Sequence, residues 1–219
     1  MKTILCVGDS NTHGFDPSDN GRYPYDVRWP GVLQQLLGRD KYYVIEEGLN
    51  SRTTVLSDPV YDDNKSAQDV LPVLIKTHMP VDLCIIMLGT NDLKQRFSMQ
   101  PCDIGRGLTL LSRTAQRVSA DKNPSGIPCS VLLVAPPPIT PHMLTGRCAA
   151  EFGSRALSLS TQLSSWVHVA AENTGAAFLD ASVLVQPSEI DGLHLTPEGH
   201  RALAQAIAKE IDFILGEPF

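Results

Sequence analysis

At 219 residues the chain is the size of one domain of roughly 100–200 residues, and its 42% hydrophobic, 19% charged and 6% aromatic make-up excludes disordered, collagenous and disulfide-scaffold classes. Eighteen Lys and Arg against 24 Asp and Glu give a formal charge of −6, with no basic run to match a row of phosphates, so neither nucleic acid nor a membrane surface is an expected partner. Five scattered cysteines, Cys6, Cys84, Cys102, Cys129 and Cys148, include no Cys-x-x-Cys pair, which argues against a disulfide framework or a zinc knuckle.

The first apolar, β-branched run is Thr3–Val7, ended by Gly8. Its Ile4-Leu5-Cys6-Val7 segment is shorter than the roughly 7–15 apolar residues of a signal peptide, so a cytoplasmic protein is expected. Apolar residues at helical spacing follow at Trp29, Val32, Leu33, Leu36 and Leu37, then a strand at Tyr42–Glu46. A second helix carries Val70, Leu71, Leu74 and Ile75. The third strand, Leu83–Leu88, is far below the roughly 20 residues that cross a bilayer. A third helix carries Ile104, Leu108, Leu111, Ala115 and Val118, and Val131–Ala135 reads as a fourth strand. Residues 154–173 read as one helix, Ala177–Leu179 as a fifth strand and Pro197–Leu215 as the last helix. Thr196 can cap that helix, Pro197 suits its first position, and Glu198 suits the positive end of its dipole. Alternating strands and helices require right-handed crossovers, which predict a three-layer α/β/α sandwich around a five-stranded parallel sheet, one domain over residues 1–219. Two loops are long for this architecture, Asn11–Arg28 and the proline-rich Pro136–Arg147, and long ordered loops shape sites or interfaces.

Ligands of an open parallel sheet bind beyond the carboxyl ends of its strands. There the sequence places GDSNTHG (8–14), EGLNSRTT (47–54), GTND (89–92) and DGLH (191–194). Acyl transfer needs a nucleophilic hydroxyl, a base, a group that orients the base, and donors for a developing oxyanion. Ser10 at a strand-to-helix turn suits the first role, His194 the second, and Asp191, three residues earlier, the third. For the oxyanion, Ser10 and Gly48 offer backbone N–H groups and Asn91 offers its amide. Trp29 and Leu49 are candidate walls of an acyl pocket, and Asp9 is a candidate substrate contact that, like Asp92, also has the chemistry to hold a turn. Arg52 suits a substrate carboxylate or a loop acid, Asp26 or Asp58. No His-Glu-x-x-His occurs and His194 and His200 stand six apart, so no metal site is expected.

Singly, each signal has a plainer explanation, since glycine ends strands and Asn, Asp and Ser make turns. Their order along the chain carries the weight. The sequence resembles the SGNH hydrolases, the GDSL-type lipases and esterases, whose four blocks carry serine, glycine, asparagine and histidine, here Ser10, Gly48, Asn91 and His194. The Asp-x-x-His block matches residues 191–194, and the Gly-x-Asn-Asp block matches residues 89–92. Asp26-Val27-Arg28-Trp29, Glu47-Gly48-Leu49, Arg52-Thr53-Thr54 and the run from Ile86 to Asp92 look like the bacterial arylesterase/acyltransferase branch. The resemblance runs from Lys2 to the final helix and departs at Asn11, where the family usually has leucine. It implies a flavodoxin-like sheet, hydrolysis of ester or acetyl groups, and no required metal or cofactor; homo-oligomers and acyl transfer to alcohols also occur in the arylesterase branch. The expected activity is hydrolysis of small short-chain acetyl or aryl esters through a Ser-His-Asp triad and an acyl-enzyme. Its rivals are an acyltransferase or carbohydrate deacetylase using the same triad, and a non-catalytic module that holds a small anion at the GDSN turn.

Overall fold

A computed structural model of the chain describes residues 1–61, 63–122 and 126–216. Its strands are β1 (Lys2–Gly8), β2 (Phe15–Asp16), β3 (Gly21–Arg22), β4 (Tyr42–Gly48), β5 (Leu83–Met87), β6 (Ser130–Ala135) and β7 (Ala177–Asp180). Five form one parallel sheet in the order β4-β1-β5-β6-β7, while β2 and β3 make a short antiparallel ribbon within the long 11–28 loop. The chain winds from β1 outward to β4 and then back across to β5. The order therefore reverses between β1 and β5, and a crevice opens there at the carboxyl ends of the strands.

Both faces of the sheet are covered, so its strands are apolar on both sides. Leu5 and Val7 of β1, Cys84 and Ile86 of β5, and Val131 and Leu133 of β6 pack toward α3 (Ala67–His78), α4 (Pro101–Lys122) and α7 (Leu163–Glu172). The alternate residues, Ile4 and Cys6, Leu83 and Ile85, Leu132 and Val134, face α2 (Trp29–Leu37) and α8 (Pro197–Leu215). Fully burying each large aliphatic side chain contributes roughly 1.5–3 kcal/mol, so a one-residue slip of a central strand would exchange two complementary sets of contacts at once. The cap expected for α8 forms: Thr196 Oγ1 accepts from the Gly199 N–H at 3.1 Å.

Three short helices complete the set: α1 (Ser10–His13), α5 (Ala149–Phe152) and α6 (Arg155–Ser160). The single helix expected over 154–173 is two, α6 and α7. Side-chain hydroxyls explain the break. Ser158, Ser160 and Thr161 each donate to a carbonyl three residues back, and Ser160 Oγ also accepts from the Ile139 N–H at 3.0 Å, which ties this turn to the loop after β6. Trp29 is corrected too. It is fully buried between α2, α8 and the sheet, an apolar core position and not a pocket wall.

The first helix lies unusually close to the sheet. A Cβ on Gly8 would come within 1.9 Å of Thr12 Oγ1, and one on Gly48 within 2.1 Å of His13 N and 2.5 Å of Thr12 C. Gly48→Ala leaves the backbone N–H intact but drives a methyl group into the backbone of α1. We expect it to destabilise the fold by about 1–3 kcal/mol or more, read as a lower denaturation midpoint. An unchanged midpoint would remove the steric role.

Candidate active site

The turn after β1 is built locally. Asp9 caps α1, its Oδ1 accepting from the Asn11 N–H at 3.0 Å, and Gly14 ends the helix in a left-handed conformation. Ser10 is thereby presented at the crevice mouth, half-buried, with its Oγ 2.8 Å from His194 Nε2. His194 Nδ1 lies 2.5 Å from Asp191 Oδ2. Asp191 Oδ1 accepts from the backbone N–H groups of Leu193 and His194, both at 3.0 Å, so one carboxylate shapes the loop and orients the imidazole. Burial pushes the Asp191 carboxyl upward, but the hydrogen bond from His194 and the two backbone donors outweigh it and hold the group below the ordinary aspartate value.

Asn11 joins the two halves of this array. Its Nδ2 donates to Leu193 O at 3.2 Å and its Oδ1 accepts from the Leu195 N–H at 2.9 Å, so the amide clasps the backbone on both sides of His194. The departure from leucine at this position is therefore a polar clamp between the serine turn and the histidine loop. The segments after β4 and β5 are joined by Asp92, which accepts from the Thr54 N–H at 3.0 Å and the Thr54 hydroxyl at 2.5 Å. Burial raises Asp9 and Asp92 to about 6 each, against hydrogen bonds that pull the other way.

Asn91, at the start of a 3-10 turn after β5, lines the crevice; its amide touches Asp9 only weakly, at 3.5 Å. Gly48 does not line it. Leu49 N–H bonds to Gly8 O, and because successive N–H groups of a strand alternate sides, the Gly48 N–H points to the free edge of β4, away from Ser10. Its missing side chain makes room for α1, not for a substrate. Ser51 takes its place at the crevice, a non-glycine residue at φ 66° whose N–H has no acceptor among the described residues. Leu49 and Asp9 also lie outside the cavity lining, the first paired to β1 and the second under the nucleophile turn. Arg52 is neither a substrate contact nor a partner of Asp26 or Asp58: it is buried and donates to the carbonyls of Gly8 and Glu47, while Asp58 pairs with Arg96 at 2.7 Å.

The crevice is a cavity of about 350 Å³. Beyond Ser10 and His194 its walls include Phe15, Tyr61, Lys94, Arg147, Glu151 and Phe152, none of which the sequence singles out. Phe15 and Arg147 do fall in the two loops whose length marked them, and Phe15 packs on the His194 ring with centroids 4.4 Å apart. No helix is long and apolar enough to cross a membrane, and no cluster of three metal-ligating side chains occurs among the described residues.

Residues 6–202 match the model of the GDSL-like Lipase/Acylhydrolase family. A carbohydrate acetylesterase family member from Sinorhizobium meliloti superposes with a TM-score of 0.91 at 33% identity, covering 99% of this chain and 100% of that one. The native aryl esterase of M. smegmatis superposes with a TM-score of 0.90 at 37% identity, covering 98% and 100%. An acetylxylan esterase of Xylanibacter ruminicola is 34% identical over 92 residues, 42% of this chain but only 17% of that longer protein.

Two measurements test the local physics. Asn11→Ala leaves Leu193 O and Leu195 N–H without partners, so stability should fall by about 1–3 kcal/mol and kcat should fall by more than KM rises; equal stability would mean that solvent replaces the clamp. Asp92 is protonated near 6 in the folded chain against an ordinary value of 3.8, so the folded state binds that proton more tightly and the contribution of Asp92 to stability grows as pH falls from about 6 toward 4. In Asp92→Asn that gain is absent, and the stability difference between wild type and variant should widen in the wild type's favour across this window.

Proposed function

The chain belongs to the GDSL-like lipase/acylhydrolase family, and on that premise we propose that it is a serine carboxylic ester hydrolase acting on short-chain acyl esters, acetyl esters first. The observation that carries the mechanism is the continuous relay from Ser10 Oγ to His194 and on to Asp191, at 2.8 and 2.5 Å. Ser10 Oγ attacks the carbonyl carbon as its proton passes to His194 Nε2. Asp191, accepting from Nδ1–H, fixes the tautomer and stabilises the imidazolium. Negative charge on the carbonyl oxygen is met by the N–H of Ser10, the amide of Asn91 and the N–H of Ser51. Collapse of the tetrahedral species releases the alcohol, which takes the proton from His194. A water molecule then repeats the sequence on the acyl-Ser10 ester and regenerates the enzyme.

A cavity of about 350 Å³ is near the small end of ligand sites, which favours acetyl over fatty acyl groups. Within this class the ester of a carbohydrate hydroxyl is the favoured substrate. The cavity wall offers the Tyr61 hydroxyl, the Asn50 amide and the Glu151 carboxylate as hydrogen-bond partners for a polyol, and the relatives described as carbohydrate acetylesterases span the full chain.

A panel of p-nitrophenyl esters of increasing chain length tests reaction, nucleophile and acyl size together. Turnover should be highest for acetate and fall with chain length, Ser10→Ala should reduce it to background, and Asn91→Ala should lower kcat by about 10²–10³. A fluorophosphonate probe should label wild type and not Ser10→Ala. Labelling failure together with absent turnover would leave an anion-binding module in place of an enzyme.

A further inference from the structure

One cation in the cavity has no part in the acyl transfer. Of the charged residues that line it, Lys94 is buried with its Nζ 3.0 Å from Glu151. Arg96 shares that carboxylate at 2.8 Å and closes on Asp58 at 2.7 Å, and Lys65 pairs with Asp63 at 2.7 Å. Charges around the Tyr61 ring therefore neutralise one another. Arg147 differs. No acid lies within ion-pair distance of it among the described residues, and its guanidinium rests over the Phe15 ring with Cζ 4.8 Å from the centroid. Phe15 packs on His194, so a permanently charged fork sits one aromatic ring away from the imidazole. Arg147 is also exposed at the mouth of the cavity, on a chain whose formal charge is −6. Stacking on an aromatic face fixes the plane of a guanidinium while leaving its edge N–H groups free to donate to a carboxylate in a bidentate pair. An acidic protein with an unneutralised cation at the mouth of its cavity draws anions to that point.

We propose that Arg147 is an anion subsite and that the preferred substrates are acetyl esters whose alcohol part carries a carboxylate. The inference rests on the esterase reading above. An acetyl group has no ionisable atom, so the carboxylate belongs to the leaving alcohol, as in an acetylated acidic sugar or a hydroxybenzoate.

The test compares kcat/KM for 4-acetoxybenzoate with that for its neutral methyl ester at low ionic strength. The intrinsic reactivities of the two esters cancel when their ratio is compared between variants. We expect the charged-over-neutral ratio to fall by about three- to tenfold in Arg147→Gln, to fall further in Arg147→Glu, and to fall less in Arg147→Lys, which keeps the charge but loses the stacked fork. Added 0.5 M NaCl should lower the wild-type ratio and leave that of Arg147→Gln nearly constant. Arg117→Gln, which removes an exposed charge on α4 outside the cavity, should leave the ratio unchanged. A ratio unaltered by Arg147→Gln, or lowered equally by Arg117→Gln, overturns the subsite while esterase activity stands. Hydrolysis of neither ester by wild type overturns the esterase reading and the subsite together.

Discussion

The fit of a four-residue helix against the ends of two strands sets the geometry of everything at the crevice. At Gly8 and Gly48 the backbone of α1 comes closer to the sheet than any side chain would allow. That contact fixes the direction in which Ser10 leaves β1, and through the Asn11 amide it also fixes the backbone around His194, 184 residues from Ser10 in sequence. The proposed nucleophile and base, carried on separate segments, must hold their 2.8 Å separation to within a few tenths of an ångström. Here they do so because one turn supplies both the hydroxyl and the clamp on the other loop.

The three carboxylates near the nucleophile show how environment separates groups of identical chemistry. Asp191 is buried but receives two backbone N–H groups and the imidazole, and it stays on the ionised side. Asp9 and Asp92 are buried more completely, and Asp92 also lies in the field of Asp9, so both are displaced toward the neutral form. An ionised Asp191 is what the orienting role requires, because only the carboxylate accepts from His194 and offsets the charge that the imidazole takes up. The other two carboxyls serve turns. Asp9 caps α1 and Asp92 pins Thr54, tasks that depend on acceptor oxygens more than on charge.

Much of the fold was legible because strand and helix leave strong periodic marks. The five sheet strands, α2, and both ends of α8 sit where apolar runs, helical spacing and Thr196-Pro197 place them. Ser10 and Asn91 were legible because they follow the ends of β1 and β5 within a few residues, where chain order translates into position in space, and Asp191 and His194 because their block stands just before the capped start of α8. Gly48 shows the limit of that logic. A glycine marks a place where a side chain would collide, and only the folded chain reveals that the collision is with α1 instead of a substrate. Ser51 leaves no mark at all, since nothing in a serine announces a positive φ. Trp29 misleads for a related reason: an aromatic near a motif can equally be the centre of a core face, and here it is.

The cavity wall was the least legible part because it is assembled from irregular segments. Tyr61, Lys94 and Arg147 lie in irregular connections, the last two beside 3-10 turns, and Glu151 in a four-residue helix, where no period predicts which way a side chain faces. The same irregularity separates two tasks. The triad and its clamp are tied to β1 and to the start of α8, elements that cannot shift without unpacking a core face, whereas the wall residues come from connections that can vary without that cost. An Arg147 held by one aromatic face fits this division: its charge is free to choose among substrates because the reaction does not depend on it, and Phe15 joins the two by touching both.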